Sequence, residues 1–154
     1  MSRHSGTGAR LAFDTPEDRV RSLSTLLGIG GIVFGALPVI SPHAFGRLFG
    51  SRVGSDPSTA AAYRSVGVRD VVVGVGLWSA AYHGGHYAPW LLARMLIDAG
   101  ASASGLLAIV QGARRPGFLT LVGLSIGTAL GGYWLWNDAR RVDSRASGAS
   151  LITD

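Results

Sequence analysis

The sequence predicts an all-α fold: a four-transmembrane-helix antiparallel bundle with a short interfacial helix between its first two spans. Three observations predict it. Four apolar stretches, at about 22–40, 60–82, 89–110 and 117–136, each run 19 to 23 residues, and a helix of about 20 residues crosses about 30 Å of hydrocarbon. Only 15% of the residues are charged, against about a quarter in a soluble domain. The aromatic residues Trp78, Tyr82, Trp90, Tyr133, Trp134 and Trp136 fall at ends that an up-down-up-down chain places on one side, as an interfacial belt.

Each span has local signals. Thr15-Pro16-Glu17-Asp18 reads as an N-cap, a proline at the first helical position and acids in the first turn. The first helix is therefore expected to begin outside the membrane and run into it. Asp14, Glu17 and Asp18 precede the apolar run, which is unlike a cleaved leader, so this helix is expected to remain as an anchor. Asp56-Pro57 starts the second span in the same way, and Pro89 and Pro116 open the third and fourth. Between the first two spans, Ser41 and Pro42 begin a short helix that Gly50 can end. Phe45, Leu48 and Phe49 share one side of it, which suits an interfacial helix with its aromatics in the headgroup boundary. The expected organisation is a polar N-terminal tail (1–15), a membrane domain (16–137) and a flexible C-terminal tail (138–154).

Charge and composition limit the partners. Net charge is +5, and every basic residue is arginine, mostly in tails and loops. Anionic lipid headgroups fit this better than nucleic acid, for which no motif appears. The choice of arginine suits a GC-rich bacterial genome and hence a bacterial inner (plasma) membrane. Seven arginines on the side of both termini (3, 10, 19, 21, 140, 141, 145) against four on the other (47, 52, 114, 115) place both termini in the cytoplasm. The absence of cysteine excludes disulfides and thiolate chemistry. His83 and His86 flank a turn and are too few for a metal site; no metal or cofactor is expected. Gly28-Ile-Gly30-Gly31 lacks the strand and final glycine of a nucleotide loop.

Glycine patterns suggest how the spans pack. Gly123, Gly127 and Gly131 form a small-residue stripe in the fourth span, and Gly31 and Gly35 a shorter one in the first. Such stripes let helix backbones approach closely in lipid. They serve a tight bundle within one chain or, for the fourth span, a homo-oligomer or larger membrane complex.

The remaining signal is ionic. Arg69 and Asp70 sit in the second span, and Arg94 and Asp98 in the third. Ionisable groups in a membrane segment face an interior and pair or act there. Arg94 and Asp98 are one helical turn apart and share a face. Counting at about 1.5 Å per residue from the His83–Ala88 turn puts Asp70 about 18 Å deep and Asp98 about 14 Å deep. The expected arrangement is a buried, charge-balanced network of Arg69, Asp70, Arg94 and Asp98 between the second and third spans, with Arg64 snorkelling to the opposite interface. Asp70 and Asp98 are the candidate catalytic residues if the network acts chemically. Ser102, Ser104, Ser125 and Thr128 have no histidine base in register and are expected to satisfy helix contacts.

Gly67-Val-Arg69-Asp70-Val-Val-Val-Gly74, followed by Leu96-Ile97-Asp98-Ala99, resembles a family of small four-helix membrane proteins of bacteria and fungi, of unknown function, in the neighbourhood of the DoxX-like proteins. The resemblance covers about 22–136. It implies the fold and the membrane location, singles out Arg69, Asp70 and Asp98, and implies no activity. The leading functional reading is a structural or accessory membrane protein, for which the network is dry and fully paired. The alternative is a binder or enzyme, isomerase- or cyclase-like, for a small lipophilic molecule. It expects a cavity beside Asp70 and Asp98, open to lipid or to the tryptophan side. A proton-coupled transporter ranks last, since no repeat is visible.

Overall fold

The computed structural model describes residues 15–49 and 56–150, with side chains through Arg145. Five helices follow in order: α1 (Pro16–Ile40), α2 (Pro42–Leu48), α3 (Pro57–His83), α4 (Ala88–Val110) and α5 (Pro116–Ser150). The chain is all-helical across the described residues. Most of the predicted N-terminal tail, and the predicted stop at Gly50, lie outside them.

The helix starts follow the sequence signals. Thr15 caps α1, its hydroxyl accepting the Asp18 N–H at 3.1 Å. Asp56 caps α3 by accepting the N–H groups of Ser58 and Thr59 at 3.2 and 3.0 Å. The Ser58 and Thr59 hydroxyls also donate to it, each at 2.6 Å, and hold its carboxyl well below the usual carboxylate range. Helix α3 ends at Gly84, whose φ of 69° is left-handed, a conformation that glycine adopts at no steric cost.

Helix α4 lacks a cap of its own. Asp143, far along α5, accepts the N–H groups of Tyr87 and Ala88 at 3.4 and 3.0 Å and supplies the missing acceptor. This corrects the expectation of a flexible tail from residue 138, because α5 continues to Ser150. The physical reason is that its continuation docks on the other helices. Leu135 and Ala139 are buried, Arg19 meets Asp138 at 3.9 Å, and Arg145 meets Glu17 at 3.3 Å.

Two helix pairs build the molecule. The most extensive interface joins α1 to α3, and the next joins α4 to α5. Consecutive helices α3 and α4, expected to be close neighbours, touch only sparingly. Glycine explains the first pair. A Cβ on Gly35 would lie 2.6 Å from the Gly67 carbonyl oxygen, and one on Gly74 would lie 2.6 Å from that of Gly28. Gly28 thus faces Gly74 and Gly35 faces Gly67, with backbone against backbone. In the second pair Gly105 leaves room for Val122.

Of the predicted packing glycines, Gly31 stands against the Asp70 and Gly74 backbone and Gly35 against Gly67. Gly123, Gly127 and Gly131 have nothing within 4 Å of where a Cβ would stand. Among the described residues, the stripe on α5 therefore takes no part in helix packing.

The span count also changes. Among the described residues, three helices, α1, α4 and α5, are long and apolar enough to cross a membrane. Helix α3 has the length, at 27 residues, but Arg64, Arg69 and Asp70 lower its hydropathy. The three helices mark a membrane protein. Helix α2 differs from expectation too. Phe45 is 3% exposed and packs on Phe34, Phe49 and Tyr63 at ring separations of 5.5, 4.8 and 5.6 Å. Its rings turn into the protein, leaving Leu48 exposed.

The interior divides into two halves. At the tryptophan end, Val20, Leu77, Leu91 and Leu135 close a solid core with Ala80, Ala81, Tyr87 and Ala139. The other half is hollow. Packing at the glycine pairs is testable. Gly74→Ala forces a methyl group into the α1 backbone and is expected to cost about 1–3 kcal/mol. Gly127→Ala meets open space and should change stability by less than about 0.5 kcal/mol. Unfolding of both variants in mixed micelles measures the contrast.

Candidate functional site

The hollow half holds a cavity of about 640 Å³, within the range of about 300–1,000 Å³ common for small-molecule sites. All five helices line it. The α1–α3 glycine contact draws α3 toward α1 and away from α4, and this leaves the space. At one end stand the aromatic rings of Phe34, Phe45, Phe49 and Tyr63. At the other, against the solid core, stand Arg69, Asp70, Arg94 and Asp98. The walls between are mostly apolar or small.

All four residues predicted from the sequence therefore meet at one site, but their pairing differs from a network laced across two helices. Each ion pair lies within a helix. Arg94 Nε donates to Asp98 Oδ2 at 2.8 Å, with side chains 13% and 7% exposed. Arg69 Nη2 and Nε approach Asp70 Oδ1, each at 3.3 Å. Arg69 and Asp70 are adjacent in sequence and point in different directions from a helix. Accordingly, Arg69 is 41% exposed on its side chain while Asp70 is 8% exposed.

Arg94 reaches furthest. Its Nη1 lies 3.2 Å from where a Cβ of Gly31 would be, so the guanidinium extends from α4 to the backbone of α1. Gly31, predicted as a packing residue, makes room for it. Nη1 is buried and has no hydrogen-bond partner. A buried donor in that state is costly, more so when charged. The only other such atom among the described residues is Ser24 Oγ, which sits apart from the cavity lining. Arg64 lies outside the cluster and is exposed near the start of α3.

The hydroxyls behave as the sequence suggests. Ser102 donates to the Asp98 carbonyl at 2.7 Å, Ser125 to that of Leu121 at 3.1 Å, and Thr128 to that of Leu124 at 3.0 Å. Each of the three bonds to a carbonyl of its own helix. His83 Nδ1 lies 3.1 Å from the Ser79 carbonyl oxygen. Among the described residues no group of three or more histidines and acids is placed to hold a metal.

The cavity opens sideways. Leu26 on α1 and Leu124 on α5 line it, yet are 63% and 54% exposed. Val66 and Arg69 on α3 line it and are exposed too, so the cavity reaches the outer flanks of the helix bundle. The aromatic end is roofed by α2, whose Leu48 and Phe49 backbone sits against Gly117 at the start of α5. On the tryptophan side the solid core closes the cavity.

Sequence reasoning missed the aromatic quartet, the Arg94–Gly31 contact and the cap from Asp143. The seven-residue spacing of Gly28 and Gly35, matched by Gly67 and Gly74, was a legible signal for the α1–α3 pair. No family model, curated protein or solved structure matches the chain, so the roles of these residues rest on geometry.

The ion pair on α4 gives a direct test. Asp98→Leu strands the Arg94 charge in a buried place and should cost about 3–5 kcal/mol. Adding Arg94→Met to it removes the stranded charge and should recover most of that loss, as read from unfolding in mixed micelles.

Proposed function

We propose that the protein binds a small lipophilic molecule within the membrane, with the molecule's polar end at the Asp70–Arg94–Asp98 cluster. The cavity carries this reading. A purely structural network calls for a dry, fully paired cluster, whereas this one borders about 640 Å³ of mostly apolar space and includes an unpartnered donor. The flank mouth suits a ligand that arrives through hydrocarbon. Asp70 and Asp98 are the groups for proton chemistry of the isomerase or cyclase kind, should the bound molecule react.

This reading includes a fourth crossing by α3. Its apolar faces, its glycine contact with α1 and the inward turn of Asp70 support a span carried on α1. Both termini then face the cytoplasm. Because the chain lacks cysteine, single cysteines report topology without background. Ser144→Cys and Gly84→Cys should react with an impermeant maleimide from the cytoplasmic side, and Ser58→Cys and Ala113→Cys from the other. Labelling of residues 58 and 84 from one side would exclude the crossing.

The binding itself is tested by organic extraction and mass spectrometry of protein purified from its membrane. A small lipophile should accompany the natural chain. Ala108→Phe, which places a ring in the cavity lining, should reduce it several-fold with the helical content unchanged. Identical extracts from both proteins would overturn the reading.

A second reading concerns assembly. Gly123, Gly127 and Gly131 present an open small-residue stripe on α5, which supports association with a second copy or a larger membrane complex.

A further inference from the structure

Each carboxylate at the cavity floor spends one oxygen on its arginine. Asp70 uses Oδ1 for Arg69, and Asp98 uses Oδ2 for Arg94. No described residue donates to the other two oxygens, Asp70 Oδ2 and Asp98 Oδ1. Neither is among the sealed atoms that lack a partner, which are Ser24 Oγ and Arg94 Nη1. Both free oxygens therefore touch open space, and the space that both residues line is the cavity. Helix geometry agrees. Asp98, Ala101, Gly105 and Ala108 line the cavity from α4 and fall three or four residues apart, on one face. Tyr63, Val66 and Asp70 do the same on α3. Each aspartate is only 5% exposed, so whatever occupies the cavity has to serve these acceptors.

Resting on the lipophile-binding reading, we propose that the ligand is a neutral lipophile headed by a hydroxyl group, and that Asp98 selects it by accepting that hydroxyl at Oδ1. Arg69 and Arg94 balance Asp70 and Asp98, so the floor is neutral as a set. A charged head would leave a net charge in a low-dielectric space, where an unbalanced charge is expensive. A hydrocarbon, an ether or a ketone has no donor and would leave Oδ1 bare against apolar matter, which is costly for an ionised acceptor. A hydroxyl brings a donor without a charge. Asp98 is the better held of the two aspartates. Its 2.8 Å bond from Arg94 fixes the carboxylate and so the direction of Oδ1, whereas Asp70 is held at 3.3 Å by an exposed arginine. Arg94 is thus a positioning residue. Ala101, next on the same face, ends at Cβ and leaves room for the head. The apolar remainder extends toward Phe34, Phe45, Phe49 and Tyr63.

The test varies the ligand head. Full-length protein in phospholipid nanodiscs is exposed to four photoreactive probes that share one long alkyl chain with a diazirine. The heads are a hydroxyl, its methyl ether, a plain methyl and a primary amine. Labelled residues are mapped by peptide mass spectrometry, and labelling of the cavity lining is read relative to that of Leu107, which is exposed on the outside of α4. The alcohol is expected to label the lining about tenfold more than the ether or the hydrocarbon, the scale of one hydrogen bond to a charged acceptor. The amine should gain nothing over the hydrocarbon. Arg94→Met combined with Asp98→Leu, which leaves no stranded charge, should bring the alcohol down to the hydrocarbon level, with hydrocarbon labelling itself retained. Equal labelling by all four probes, or ether equal to alcohol, would overturn the hydroxyl assignment and leave the lipophile-binding reading in place. Preference for the amine would overturn it in favour of a cationic ligand. An alcohol preference undiminished in the double variant would overturn the role of Asp98. No labelling of the lining by any probe would overturn both the assignment and the reading beneath it.

Discussion

The close approach of α1 and α3 is the constraint on which the rest depends. Lipid supplies no hydrophobic drive between helices, so their association rests on contact and on the small residues that allow it. Gly28 against Gly74 and Gly35 against Gly67 bring two backbones together where any side chain would hold them apart. Helix α3 is thereby committed to α1. Helix α4, its successor in sequence, pairs with α5 instead. The two pairs meet firmly at the tryptophan end, where leucine, valine and alanine fill the gap. They do not meet in the other half, and the space between them is the cavity.

The ionic residues sit at the boundary of solid and hollow. Asp70 lies on the same side of α3 as Gly67 and Gly74, so the glycine contact that seats α3 also turns this carboxylate inward. Arg94 can cross from α4 because Gly31 has no side chain in its path. The small-residue surface of α1 therefore serves two purposes, receiving α3 and admitting a guanidinium. A balanced set of charges lowers the cost of keeping them there, although ion pairs of this kind do not by themselves add net stability.

Much of this was legible in the sequence. Apolar lengths, prolines at helix starts and the caps Thr15 and Asp56 give the helices and their beginnings, since these are local effects. The cluster residues were legible because a charge in an apolar run must be buried against something. What escaped were the non-local choices. That α3 prefers α1 to α4 depends on matching glycine spacings in two separate segments. The docking of the α5 continuation involves the α4 N-terminus, whose free N–H groups find an acceptor in the distant Asp143. The inward turn of Phe45 depends on Phe34 and Tyr63 from neighbouring helices. Hydropathy sets α3 apart from the three apolar helices, because it carries Arg64, Arg69 and Asp70.

The position of the mouth has a kinetic and thermodynamic corollary. The cavity is roofed by α2 with Gly117 and floored by the solid core, and it opens on the flanks, where the lining residues Leu26, Val66 and Leu124 are exposed. On the proposed lipophile-binding reading, a molecule reaches it without desorbing from the bilayer. The concentration that sets occupancy is then the concentration dissolved in the membrane, which for an apolar solute exceeds the aqueous one by its partition coefficient. A site of modest intrinsic strength fills under such conditions. Selectivity then falls to contacts the solvent phase cannot imitate, and within hydrocarbon those are hydrogen bonds.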